Sequence, residues 1–311
     1  MPRSLAFEIL SAIATASRAR SEHHENDSEA DREFDVGRFD RIEIAGPFDA
    51  EIRTGGVRSV QASGPEWAID TLSVETRGDC LYLGCEGDCD SDVTVTISVP
   101  ALRAVRLAGS GDVSIDNVEG QRFECACSGS GDLSIDGIQA ERVHLSIAGS
   151  GDVRIDAVRG GACEAALAGS GDLSIDAVAS ADFRLAINGS ADVQIDNYSG
   201  ERFEAVLSGS GDLAIDALEA RKFECRLFGS GDARVDGHAK EAKLETTGSG
   251  DIDAGDLQLE NAEVFVFGSG DVSLCATASA EISVMGSGDV SLTGGAKCTV
   301  RNNGSGDVTC S

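Results

Sequence analysis

From residue 39 onward, apolar and polar residues alternate in short runs: Ile42 and Ile44, Phe48 and Ile52, Leu72 and Val74, Leu81 and Leu83, then Val93, Val95 and Ile97. A period of two puts successive side chains on opposite faces of a strand, so each run predicts a strand with one buried face. Past residue 109 the alternation becomes metric. Phe123, Cys125 and Cys127 precede a turn and Leu133 and Ile135 follow it; Phe183, Leu185, Ile187 and then Val193, Ile195 repeat the arrangement. A third apolar position follows at Val118, Ile138, Val158, Val178, Tyr198 and Leu218, each ahead of a small residue two positions on. Each unit is therefore predicted to hold two or three short strands separated by corners.

The turn is the tetrapeptide Gly-Ser-Gly-Asp. It starts at Gly109, Gly129, Gly149, Gly169, Gly189, Gly209, Gly229, Gly248, Gly268, Gly286 and Gly304, with one copy reading Gly-Ser-Ala-Asp at Gly189. The spacing is 20 residues six times, then 19, 20, 18 and 18. A fixed period of this length marks a repeat architecture in which one unit cannot bury its apolar face alone and stacking supplies the core. The fold predicted is all-β: a right-handed parallel β-helix, or solenoid, with about 20 residues per coil, the hand following that of parallel crossovers. About thirteen coils at ~4.8 Å each would give a rod of ~60 Å. Residues 39–108 are expected to supply irregular first coils and 109–311 the regular ones.

Residues 1–20 carry Arg3, a short apolar stretch and Ala14-Thr15-Ala16, the outline of a weak signal peptide; Leu5, Ile9 and Ile13 equally fit one face of a capping helix. Residues 21–38 begin SEHHENDSEADRE, without periodicity, and read as an acidic disordered linker. No apolar run reaches the ~18 residues that would span a bilayer as a helix.

The formal charge of -29, from 54 acidic against 25 basic side chains, disfavours nucleic acid and anionic lipid as partners. The four histidines, His23, His24, His144 and His238, are too dispersed for an acid–base pair, and near-constant coil lengths leave no long loops to wall a catalytic cleft. A phosphate-binding loop is excluded because no Lys follows the glycines.

The segments FDRIEIAGPFDAEIRTG, LSVETRGDCLYLG and VTVTISVPALRAVRLAGSGDVSI, above all Val99-Pro100-Ala101-Leu102 leading into Gly109-Ser110-Gly111-Asp112, resemble the head GIN domain family of putative auto-transporter adhesins. The resemblance runs from about Phe39 to the end. It implies a β-helix exported to the bacterial cell envelope with an adhesion role, and it carries over no catalytic or ligand residues. With the regular coils, the reading is a non-enzymatic surface module, an adhesion head or spacer, whose ligand is unidentified and is expected among glycans or proteins; no cofactor is expected. Two other roles are weighed against it: a polysaccharide-active β-helix enzyme, which requires one concave cleft of singular polar residues, and an intracellular self-assembling scaffold, which requires an uncleaved N-terminus.

Stacking superposes two acidic columns. One comprises Asp112, Asp132, Asp152, Asp172, Asp192, Asp212 and Asp232, continuing to Asp251, Asp271, Asp289 and Asp307; the other comprises Asp116, Asp136, Asp156, Asp176, Asp196, Asp216 and Asp236. Carboxylates ~5 Å apart repel by roughly 0.8 kcal/mol per pair in water. Turn amides are expected to offset this in the first column, whereas the second is the candidate site for loosely bound divalent cation, calcium by preference. The glycines are expected to supply positive-φ corners, with Ser and Asp bonding turn amides. Cys125, Cys127, Cys163 and Cys225 fall on inward positions and read as core residues, leaving Cys80, Cys85 and Cys89 as the cysteines able to pair, Cys85 with Cys89 most locally. The last coil lacks a cover, so end-to-end self-association through residues 289–310 is expected.

Overall fold

A computed structural model describes residues 28–86 and 92–311. The head begins with β1 (Glu29–Phe34), β2 (Arg41–Ala45), β3 (Asp49–Thr54) and β4 (Ser59–Pro65), followed by a single helical turn, α1 (Glu66–Asp70). It ends with β5 (Leu72–Arg77), β6 (Cys80–Cys85), β7 (Thr94–Val99) and β8 (Ala104–Leu107). The regular coils are β9 (Val113–Cys127), β10 (Leu133–Ile147), β11 (Val153–Leu167), β12 (Leu173–Gly189), β13 (Val193–Gly209), β14 (Leu213–Gly229), β15 (Ala233–Gly248), β16 (Ile252–Val266) and β17 (Val272–Val284). The final coil is split into β18 (Val290–Thr293), β19 (Lys297–Asn302) and β20 (Val308–Cys310).

The alternation becomes a β-solenoid of about 10 turns with ~20 residues per turn. That is fewer than thirteen because part of the head is spent on antiparallel strands. From β9 to β17 every strand pairs in parallel with the next, and Leu133 lies on Val113 and under Val153 as the period requires. Instead of two or three short strands per coil, one strand of 13 to 17 residues bends around the corners, because the ladder partners continue through most of the bends. The ladder lapses beside Asp136, where paired residues stop at Ile115/Ile135 and resume at Gly137/Asn117.

The inward columns hold Val, Leu and Ile, each contributing roughly 1.5–3 kcal/mol on burial. One column gathers Phe183, Phe203 and Phe223, with ring centroids 5.0 and 5.9 Å apart, and Tyr198 meets Phe203 edge-on at 5.0 Å. The buried Tyr198 hydroxyl donates toward the carbonyls of Arg202 at 2.7 Å and Ser180 at 3.2 Å, so its polar end is satisfied inside the wall. Where the period drops to 19, the register shifts between Ile215 and Leu218, and Gly237 takes up the slack with φ of 127° against the Leu218 carbonyl. A side chain at 237 would be strained there.

The head does not stack in chain order. Strand β2 lies between β6 and β8, and β3 lies between β7 and β9, all parallel. The coil formed by residues 41–54 is thus inserted between that of residues 80–99 and the first regular one. Antiparallel strands close this end: β4 on β7, β1 on β4, and β5 on β6. Residues 29–34, expected to be disordered linker, form β1 because Ala30, Phe34 and Val36 pack on the core and offset the entropy of ordering. Residues 1–27, with the expected signal or capping helix, His23 and His24, lie outside the described residues.

Candidate functional site

The first acidic column is a hydrogen-bonded ladder. The backbone N–H of Asp112 donates to Asp49 Oδ1 at 2.9 Å, Asp132 N–H to Asp112 Oδ1 at 2.9 Å, and Asp152 N–H to Asp132 Oδ1 at 2.8 Å. The same bond recurs up the rod to Asp307 N–H on Asp289 Oδ1 at 2.7 Å. Each carboxylate from Asp49 to Asp289 therefore accepts the amide of the coil above, as expected of a turn rich in donors, and a charge-assisted bond replaces bare repulsion. The serines behave otherwise than expected: Ser230 and Ser249 hydroxyls bond each other at 3.2 Å, and Ser305 donates to Ser287 at 3.1 Å.

The tetrapeptide glycines also act differently from the expectation. Of the first glycines, Gly209, Gly229 and Gly248 have clearly positive φ, at 144°, 147° and 136°. What all share is proximity: a Cβ on any of them would collide with the carbonyl oxygen of the glycine one coil below, or of Gly46 below Gly109. The turns stack backbone on backbone, and Gly is needed for close approach more than for handedness.

The second column has no common partner. Asp116 accepts Thr54 N–H at 2.9 and 3.1 Å, whereas Asp176 holds Arg154 at 2.8 and 2.9 Å. Asp236 meets Arg234 at 3.3 Å, Asp196 meets Gln194 at 3.4 Å, and Arg154 also lies 3.6 Å from Asp156; Asp136 and Asp216 are exposed. Among the described residues no three His, Cys, Asp or Glu side chains are grouped to hold a metal ion.

These columns flank a mixed column that reads Ser114, Ser134, Arg154, Ser174, Gln194 and Ala214. A groove of about 500 Å³ runs over this face, bordered by Asp112, Asp132 and Asp152 and lined by Ser114, Ser134, Arg154 and Ser174. The opposite wall carries mixed charge. Glu224, with its side chain only 6% exposed, pairs with Arg226 and, at 3.3 Å, with Arg202; Glu204 is 3.1 Å from Arg202 and 3.5 Å from Arg226. Arg202 Nε is buried there without an acceptor. Nothing in the sequence analysis singled out this network, though the outward positions of Arg202-Phe203-Glu204 and Glu224-Cys225-Arg226 signal it. A second groove, of about 540 Å³, lies on this wall near Arg106, Tyr82 and His144. His144 stands 3.6 Å from Glu164 on β11, and His238 lies far up the rod on β15, so these two histidines stay apart.

Cys125, Cys127, Cys163 and Cys225 are buried free thiols, as their inward positions predict, and burial pushes Cys163 and Cys225 up to about 12. Cys85 is disulfide-bonded; Cys89 lies outside the described residues. The pairing that sequence reasoning missed is Cys298–Cys310, with Cα atoms 6.6 Å apart. Cys298 lies on Ala280 and Cys310 on Leu292, both inward columns, so the bridge joins two walls of the final coil, with Cys298 half-buried and Cys310 exposed. Their places on either side of the Gly304 turn were the available signal.

The molecule is thus an acidic β-solenoid whose exterior is made of residue columns, in the class of rods that present extended surfaces. The chain belongs to the family described as "Putative auto-transporter adhesin, head GIN domain", whose model matches residues 38–197 and 178–296. Similar solved structures include a putative adhesin from Bacteroides fragilis, at 18% identity over 91% of this chain and 97% of that one, with a TM-score of 0.30. A putative lipid binding protein from Parabacteroides distasonis matches at 20% identity over 91% and 98%, with a TM-score of 0.34. A putative adhesin from Parabacteroides merdae matches at 14% identity over 91% and 97%, with a TM-score of 0.35. No curated protein matches the chain.

Proposed function

We propose that this chain is a non-enzymatic, extracytoplasmic adhesin-type module that binds a surface ligand, a glycan or a protein, along the outside of its rod. The observation that carries this is family membership across residues 38–296. Three features support it. Coil length barely varies, so the walls offer long faces of repeated chemistry in place of one walled cleft. The Cys298–Cys310 disulfide suits an oxidising compartment. The charge of -29 keeps the rod clear of anionic lipid and nucleic acid.

The test has two arms. Protease treatment of intact producing cells should remove the chain if it stands outside the membrane. The purified chain, applied to arrays of glycans and extracellular proteins, should be retained by some without altering them. Complete protection from protease, or release of reducing ends from an oligosaccharide, would overturn the reading.

A further inference from the structure

The position just before each tetrapeptide is Ala108, Ser128, Ala148, Ala168, Asn188 and Ser208 in the lower coils, all small or polar. In the upper coils it becomes Phe228, Thr247, Phe267 and Met285, before Asn303 in the last, and Phe228, Phe267 and Met285 are 41%, 36% and 52% exposed. Solvent-facing Phe and Met on neighbouring coils of an acidic rod are not explained by packing. Beside this ridge, β16 directs Asn261, Glu263 and Phe265 outward, and Phe267 follows just beyond it, at ~6.8 Å per two residues. The rings of Phe265 and Phe267 are parallel to within 1° with centroids 6.4 Å apart, forming a stacked pair. Lys243 Nζ lies 5.3 Å from the Phe265 centroid and also lines a groove of about 280 Å³ with Asn261, Glu263 and Ser279. Within it the Ser279 hydroxyl donates to Asn261 Oδ1 at 2.6 Å, which leaves the Asn261 amide donors free to face a ligand.

We infer that the wall over β15, β16 and β17 binds a neutral oligosaccharide. An apolar sugar face would lie against the exposed Phe267 ring of the stacked pair, and its hydroxyls would reach the Lys243, Asn261 and Glu263 groove. An aromatic pair beside mixed donors and acceptors matches a ligand with C–H faces and a rim of hydroxyls. The acidic charge of the rod selects an uncharged sugar over an acidic one. This inference rests on the adhesin-type reading and narrows its ligand class.

The experiment measures retention of the intact chain on immobilised neutral glycans of glucose, galactose, mannose and N-acetylglucosamine, on hyaluronate, and on phosphatidylcholine vesicles. Retention by a neutral glycan, weakened at least tenfold by Phe265→Ala and by Phe267→Ala and restored toward the parent by Phe265→Tyr, is expected. Circular dichroism reports whether each variant keeps its strands. Should the chain bind elsewhere on the arrays while both Phe variants bind equally well, the sugar platform is wrong and the adhesin reading stands. Retention by hyaluronate or vesicles alone, or sedimentation showing that Phe267→Ala abolishes self-association, assigns the ridge to another occupant and overturns the proposal. Retention by nothing overturns both.

Discussion

The two acidic columns have the same residue, the same period and neighbouring positions, yet only one is part of the fold. Each tetrapeptide Asp from Asp112 to Asp289 accepts a backbone N–H from the coil above, so its charge meets a fixed donor. The Asp four residues later stands where the ladder lapses and finds Thr54, Arg154, Gln194, Arg234 or solvent, depending on the coil. Repetition in a solenoid does not by itself say which column is structural. The answer lies in which backbone donors the turn leaves unpaired.

Alkaline pH probes the interior apart from both columns, through its buried thiols and Tyr198. Burial raises Cys163 and Cys225 from 9.0 to about 12, so the folded state holds these protons longer than the unfolded chain. Their stabilisation is complete below pH 9 and is lost as pH rises toward 12. At 1.36 kcal/mol per unit the loss is roughly 4 kcal/mol for each thiol. Tyr198, also pushed up to about 12, adds to it above pH 10. Urea midpoints between pH 8 and 12 should fall, and Cys163→Val should flatten the curve; a flat parent curve would mean the core is wetter than described.

The glycines of one coil offer the next contrast. Gly129→Ala sets a methyl against the Gly109 carbonyl, whereas Gly137→Ala meets the Asn117 amide oxygen, the movable end of a side chain. The first should cost about 3 kcal/mol by overpacking and the second under ~1 kcal/mol. Thermal unfolding of the pair checks this. The chain already contains a milder version: Ala191, at the third position of its tetrapeptide, coincides with the longest Ser N–H bond of the series, Ser190 to Gly169 at 3.3 Å.

Asp132→Ala deprives the Asp152 amide of its acceptor and should lower stability by about 1–2 kcal/mol, with Asp132→Asn recovering part through its carbonyl. Asp136→Ala, in the other column, should fall within ±0.5 kcal/mol. Equal losses at the two sites would erase the distinction between the columns.

Much of this was legible beforehand. The inward positions followed from alternation, and the Asp amide ladder followed from a turn with surplus donors. Four things were not legible. The glycines' role depends on how closely successive turns approach, a tertiary distance that a turn motif does not state. The insertion of β2 and β3 between later coils leaves no trace in local pattern, because each strand still alternates. The Cys298–Cys310 bridge joins two walls of one irregular coil, and a search confined to cysteines close in sequence, such as Cys85 and Cys89, cannot find it. The outward network around Glu224 was missed because charged residues on a strand's polar face look like solvated surface until their coils are stacked.

The smallest effect is expected from salt. Screening should relieve repulsion along the second column, so sodium chloride should raise the melting temperature slightly. Divalent cation bound on Asp116 through Asp236 would require calcium to exceed sodium at matched ionic strength. Arg154 and Arg234 already interrupt that column, and no assembled set of three ligands stands among the described residues. Equal rises from the two salts are therefore expected. A calcium-specific rise that disappears in Asp216→Asn but survives in Asp132→Asn would place the ion on the second column and give the two columns distinct tasks, one holding the coils and the other holding a cation.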